Sequence, residues 1–278
     1  MSFFSFCSGK IELGRKTYIM GIVNVTPDSF SDGGKFFSPE NAVSHALKLI
    51  DEGVDIIDLG ACSTKPFSEP VSSEEEISRL IPVIKELRKR TDVPVSIDTF
   101  YPETAEIMLS EGADIINDVG GVFNTETAEL IKNSGAGYIV MHGGVKKAPA
   151  QCEKEYPLGV VNDVQLFFDE MQEKLISFGI NKEQLCFDAG FGFMKNTAQN
   201  ALLLKNLSLL STDGCALLTG LSRKRFIGEL SENTDASDRL AGTLAANILA
   251  VSGKTDIIRT HEVKLHKEAL KLVDSVLR

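Results

Sequence analysis

The chain has 278 residues, 43% of them hydrophobic, enough to bury a large core in one domain. Its formal net charge of −10 argues against a nucleic-acid or membrane surface, because phosphate-tracking proteins need a basic face and any anionic ligand must here be met by local cations. Five cysteines (Cys7, Cys62, Cys152, Cys186 and Cys215) are scattered with no C-x-x-C pair, which speaks against a disulfide framework or a zinc site and fits a reducing cytoplasm.

The opening MSFFSFCSGK has too short an apolar stretch for a leader or anchor, and no run of roughly 18 apolar residues follows it. Residues 1–17 are expected to form an N-terminal extension or a small hairpin, with 10–16 closing a barrel floor. Eight short, β-branched apolar runs then recur: YIMGIVN (18–24), DIIDLG (55–60), VPVSID (93–98), ADIIND (113–118), AGYIVMH (136–142), QLCFDAG (184–190), CALLTGL (215–221) and TDIIRTH (255–261). Each is nearly continuously apolar, as strands covered on both faces must be. Amphipathic stretches separate them, at 39–52, 73–90, 102–111, 125–133, 160–178, 196–207, 237–252 and 263–277, the second opening on a capping box at Ser73 and Glu76. Eight strands each followed by a helix predict a single-domain α/β chain, a (β/α)8 TIM barrel over 18–278. The alternative, an open dinucleotide-binding sheet, lacks a G-x-G-x-x-G after its first strand.

Polar residues collect at the carboxyl ends of these strands: Asn24, Asp58, Asp98, Asn117, His142, Asp188, Ser222 with Lys224, and Arg259 with His261. On a barrel they surround one mouth, the face where barrel active sites lie. Taken singly, Asp98 also reads as a cap on the helix after Thr99, Ser222 as an N-cap and His261 as a structural histidine. Arg259 and His261, two apart on one strand, would share a face. The loop NVTPDSFSDGG after the first strand has the Pro, Gly and short polar residues of a segment that closes over a substrate. There is no G-x-S-x-G elbow and no His-Glu-x-x-His set, so neither a nucleophile nor catalytic zinc is indicated.

MGIVNVTPDSFSDGG, DIIDLGACSTKP, VPVSIDT, INDVGG, FDAGFGF, GLSRKRFIG, DRLAGTLAA and DIIRTHEV together resemble the motifs of the dihydropteroate synthases, in order, from about residue 18 onward. The resemblance implies a transferase of folate biosynthesis that joins 6-hydroxymethyl-7,8-dihydropterin diphosphate to 4-aminobenzoate. It implies that Asp98, Asp188, Lys224 and Arg259 are catalytic, and that Asn117, Met141 and Phe193 complete the pterin pocket. Thr64, Arg259 and His261 would hold the diphosphate, with Asn24 on a bridging Mg2+. Phe30, Lys65, Pro66 and Ser222 would receive 4-aminobenzoate or its sulfonamide mimics. It further implies a cytoplasmic homodimer, for which 240–251 is the candidate contact, and small-molecule rather than nucleic-acid or membrane partners.

The second loop departs from the pattern, reading CSTKPFSEP where the family commonly has ESTRPGAEP, so that Cys62, Lys65 and Phe67 replace Glu, Arg and Gly. Ala189 stands where Pro is usual, and MHGGVKKAP lacks the usual Met-Gln-Gly continuation. Two rivals remain, a pterin-binding methyltransferase-like domain and a catalytically silent pterin-binding paralogue. The first has no diphosphate to hold, so Asn24, Arg259 and His261 together speak against it; the second would be expected to lose loop or phosphate residues first.

Overall fold

The computed structural model describes residues 1–26, 39–61, 71–144, 154–233 and 235–278. A hairpin of β1 (Phe3–Phe6) and β2 (Gly9–Glu12) precedes β3 (Tyr18–Asn24). Helix and strand then alternate through α1 (Pro39–Asp51), β4 (Ile56–Gly60), α2 (Ser73–Arg88), β5 (Val95–Asp98), α3 (Pro102–Ser110), β6 (Ile115–Asp118), α4 (Thr125–Ser134) and β7 (Gly137–Met141). The second half continues with α5 (Val160–Phe178), β8 (Leu185–Asp188), α6 (Thr197–Lys205), β9 (Ala216–Thr219), α7 (Arg225–Leu230), α8 (Leu240–Ser252), β10 (Ile257–Thr260) and α9 (Val263–Leu277). Strands β3 to β10 pair in parallel and close on themselves in the order β10-β3-β4-β5-β6-β7-β8-β9, the expected barrel. No helix among the described residues is long and apolar enough to cross a membrane.

Successive strand residues face opposite sides, and the core divides accordingly. Ile19, Ile57, Ile116, Val140, Phe187 and Ile258 pack toward the helices. Met20, Ile56, Ile115, Ile139, Cys186 and Ile257 fill the barrel interior. Two residues farther along the inward column the chemistry changes: Ile56 is followed by Asp58, Ile115 by Asn117, Cys186 by Asp188 and Ile257 by Arg259. Period-two geometry alone therefore delivers these polar side chains to the same end of the barrel.

The opposite end is stoppered by the hairpin, which begins at Phe3, earlier than the 10–16 segment considered for that purpose. Phe4 and Phe6 join the interior cluster with Tyr18, Met20 and Ile115. Gly137 lies directly above, and a Cβ there would stand only 2.8 Å from Phe4 Cζ.

Three local expectations are corrected. The cap of α2 is Ser72, whose Oγ accepts from Glu75 N–H at 3.3 Å, so there is no box at Ser73 and Glu76. Glu76 points inward instead, buried, and accepts from Thr99 Oγ1 at 2.6 Å. Helix α3 starts after Tyr101 with no side-chain cap, which removes the capping role considered for Asp98. Helix α7 likewise starts after Lys224 without a side-chain cap, so Ser222 is not its N-cap.

Candidate active site

Asp98, Asn117, Met141, Asp188, Phe193, Lys224 and Arg259 line one cleft at the carboxyl end of the barrel, together with Val119, Phe191 and Gly220; it encloses about 380 Å³ of empty space, part of it open to solvent. Strand register explains the neighbours. Asp98 on β5 pairs with Asn117 on β6, and Met141 on β7 with Asp188 on β8.

Arg259 reaches across from β10 and is held by two carboxylates. Its Nε donates to Asp58 Oδ2 and its NH2 nitrogen to Asp98 Oδ2, each at 2.6 Å. Asp58 is fully buried, and Asn117 Nδ2 sits 3.5 Å from the same Oδ2. Asp58 belonged to the strand-end set but had no assigned role; the signal that could have found it is its inward position two residues after Ile56, where a carboxylate needs a cation partner. Charge-assisted pairs of this kind hold planar groups in a defined orientation. Burial raises Asp98, and with Asp58 and Glu76 nearby it outweighs the pull of Arg259, leaving the carboxyl at about 7.

On the other side of the cleft, Asp188 Oδ1 accepts from Gly190 N–H at 2.8 Å, while no hydrogen bond reaches Oδ2 from the described residues. Burial raises the Asp188 pKa, against the Gly190 hydrogen bond and the charge of Lys224. Lys224 Nζ lies 4.2 Å from the centroid of the Phe193 ring. Its removal from water, with Arg259 nearby, brings it down to about 8. Asn117 Oδ1 is buried with no hydrogen-bond partner among the described residues. The cleft thus offers two uncommitted acceptors, one cationic donor and the aromatic and apolar walls of Phe193 and Met141. Such an array suits a flat, polar heteroaromatic ring.

His261 lies one residue beyond β10 rather than on it, and its Nδ1 meets Ser222 Oγ at 2.8 Å. Burial and the surrounding Arg223, Arg259 and Lys224 push this imidazole down to about 3, so it is neutral near pH 7. The Ser222 hydroxyl can then donate to Nδ1, leaving the Nε2 hydrogen for another acceptor. Arg223, at φ 57°, places its Nε 2.7 Å from Glu262 Oε1 and braces the segment between Ser222 and Lys224. Asn24 ends β3 beside Gly60, partly exposed and with no side-chain hydrogen bond among the described residues.

His142 does not face the cleft. It follows Met141, so strand alternation turns it the other way, and its ring is bound by Asp163 and Lys195 at 2.8 and 2.9 Å. Phe30, Thr64, Lys65 and Pro66, with Cys62 and Phe67, lie outside the described residues. Lys195, Val119 and Phe191 were not singled out by sequence reasoning, since a loop lysine ordinarily reads as a solvated tip and the other two as plain core.

A family model described as "Pterin binding enzyme" matches residues 20–261. A dihydropteroate synthase from Synechocystis sp. is 39% identical over 267 residues, 95% of this chain and 92% of that protein. The solved dihydropteroate synthase of Xanthomonas albilineans with 4-aminobenzoic acid superposes with a TM-score of 0.90 at 39% identity, covering 99% of this chain and 98% of that one. The same organism's enzyme in complex with 7,8-dihydropteroate gives a TM-score of 0.86 at 39% identity, with 98% of each chain covered. A barrel with this cleft, matched along its length by such relatives, belongs to the pterin binding enzyme family, among the dihydropteroate synthases.

Proposed function

We propose that this chain is a dihydropteroate synthase: a transferase that condenses 6-hydroxymethyl-7,8-dihydropterin diphosphate with 4-aminobenzoate, giving 7,8-dihydropteroate and diphosphate. The observation that carries this reading is the cleft lined by Asp188, Asn117 and Lys224, with Asn117 Oδ1 buried and without a hydrogen-bond partner among the described residues. The 2-amino-4-oxo edge of a pterin offers N–H groups to the two acceptors and a carbonyl to the lysine. Met141 and Phe193 cover its faces, and Asp98, fixed by Arg259, accepts from the far side of the ring.

Bond cleavage at the pterin methylene leaves a cation that the electron-rich ring stabilises, so no protein nucleophile is needed. Asp98 and Asp188 hold that ring and favour positive charge on it. Arg259, already oriented by Asp58, has its NH1 nitrogen uncommitted among the described residues and takes the leaving diphosphate. Neutral His261 donates to a diphosphate oxygen from Nε2. The amine of 4-aminobenzoate then attacks the cationic methylene carbon to form the carbon–nitrogen bond, after the carbon–oxygen bond has given its electron pair to the diphosphate, and the excess proton on nitrogen is lost to water. When that substrate binds, the Ser222 hydroxyl turns from His261 Nδ1 to donate to its carboxylate, with Phe30, Lys65 and Pro66 from the loops and Thr64 on the phosphates. Sulfonamides, as mimics of 4-aminobenzoate, compete there.

Asn24 fits a Mg2+ ion: it ends β3 at the barrel mouth with no side-chain hydrogen bond among the described residues, and magnesium prefers oxygen ligands while retaining several waters. When bound there, the ion supplies positive charge that stabilises the departing diphosphate. We place the protein in the cytoplasm, in keeping with the free thiols of Cys7, Cys186 and Cys215. A homodimer would cover exposed leucines on the adjacent helices α6, α7 and α8, namely Leu202, Leu230 and Leu249.

The test is to combine the protein with the pterin diphosphate, Mg2+ and 4-aminobenzoate, and to follow diphosphate release and pteroate formation. Stoichiometric product is expected, with an Asp188→Asn control strongly impaired. Absence of product from the wild-type chain overturns the proposal.

A further inference from the structure

Behind the cleft wall, the turn that follows β8 is held by a buried lysine. Lys195 is 4% exposed. Its Nζ lies 2.9 Å from the Gly190 carbonyl oxygen, 3.3 Å from that of Phe193 and 2.9 Å from His142 Nδ1. These are the residues that shape the cleft: Gly190 N–H anchors Asp188 Oδ1, and the Phe193 ring lies beneath Lys224. On the far side, His142 Nε2 is 2.8 Å from Asp163 Oδ1 on α5. One hydrogen-bonded chain therefore runs from an outer helix to the wall of the cleft.

The turn does not hold its shape by intrinsic preference. Met194 adopts φ 53°, a left-handed conformation that a non-glycine residue keeps only where its surroundings over-determine it. Its carbonyl accepts from Lys154 N–H at 3.0 Å and from the Tyr156 hydroxyl at 3.2 Å. Lys195 is the counterpart on the inner side.

The charge of the cluster follows from counting hydrogens. The Gly190 carbonyl, the Phe193 carbonyl, the Lys195–His142 contact and the His142–Asp163 contact require four. A neutral amine and a neutral imidazole supply three between them. Although burial brings Lys195 down to about 7, the fourth hydrogen keeps one positive charge on the pair, opposite the Asp163 carboxylate.

We propose that Lys195 is a positioning residue for the pterin cleft: it ties the Gly190 and Phe193 carbonyls to the His142–Asp163 pair and so holds Asp188 and Phe193 where the ring needs them. This rests on the pterin reading of the cleft. Lys195 does not line the cleft, so it acts through the turn rather than on the substrate.

Replacement Lys195→Met keeps the length of the stem but leaves two buried carbonyls and His142 without their donor. Direct titration of the full-length protein with pterin diphosphate and Mg2+ is expected to show affinity about tenfold weaker. In turnover, KM for the pterin substrate should rise while kcat changes by less than about threefold. Asp163 is partly exposed, so Asp163→Asn folds even if the buried variant does not, and it should weaken pterin affinity about threefold. Folded variants that bind the pterin as wild type does overturn the proposal, as does a loss confined to kcat. A wild-type protein that binds no pterin diphosphate overturns the underlying reading instead.

Discussion

Arg259 Nε donates to the fully buried Asp58 Oδ2 at 2.6 Å, so the guanidinium is aimed by a carboxylate that itself never reaches solvent. Removing one member of a buried charge pair leaves the other poorly compensated, at a cost of about 3–5 kcal/mol for full loss of the partner. Asp58→Asn retains an oxygen acceptor and should destabilise by roughly 2–3 kcal/mol. Turnover should also fall, because Arg259 loses its fixed direction. Urea unfolding beside a diphosphate-release assay checks both, and a variant with unchanged midpoint and rate would refute the role given to this pair.

The pH profile should carry two limbs. Asp98 is useful to the pterin as an anion; its raised pKa of about 7 means that it takes up a proton as pH falls through neutrality, so kcat/KM declines on the acid side. Lys224, lowered to about 8, loses its proton as pH rises, so kcat/KM declines on the alkaline side as well. The groups interact, and the observed values belong to the coupled set. A bell with a narrow optimum between these limbs is expected. Lys224→Arg should move the alkaline limb upward, and a profile in which that limb stays put would count against the assignment.

Gly144 crosses the backbone of Gly120 and Gly121 so closely that a Cβ would lie 2.2 Å from Gly120 C. The contact joins the loop after β6, which carries Val119 into the cleft, to the turn that follows Met141 at the end of β7. Gly144→Ala cannot be relieved by turning a side chain, because the clash is with backbone. We expect a loss of about 3 kcal/mol by thermal or denaturant unfolding, with weaker pterin binding. A folded variant of wild-type stability would show that the loops separate easily.

Phe4 closes the barrel floor, remote from the cleft. Phe4→Ala should cost about 3–5 kcal/mol in unfolding free energy while KM for both substrates stays within about twofold where the variant is folded. A marked change in KM at full folding would mean that the floor and the mouth are coupled.

Much of the architecture was legible in the residues. Eight apolar runs divided by amphipathic stretches specify strands covered on both faces, and β3, α5 and α9 fall on the expected bounds. The gathering of the candidate site was legible wherever period-two alternation carries an inward column from Ile115 to Asn117, or from Cys186 to Asp188; the same column from Ile56 placed Asp58 there without showing its part. Helix starts were less so, because a serine beside a serine leaves the cap ambiguous. Ser72 is the cap of α2, and packing against Thr99, not local spacing, decides where Glu76 goes.

The sequence by itself determined the barrel and which residue types gather at its mouth, since both follow from spacing along the chain. Tertiary structure decided which of them face one another. Asp58 and Arg259 are joined only by closure of the barrel, which sets β10 against β3 and β3 against β4. Ser222 and His261, expected to serve different substrates, are hydrogen-bonded to each other, and His142 turns outward to Lys195. Burial then sets the protonation of Asp98, Lys224 and His261, because the cost of a charge depends on how much water it has lost, and one-dimensional order does not contain that quantity.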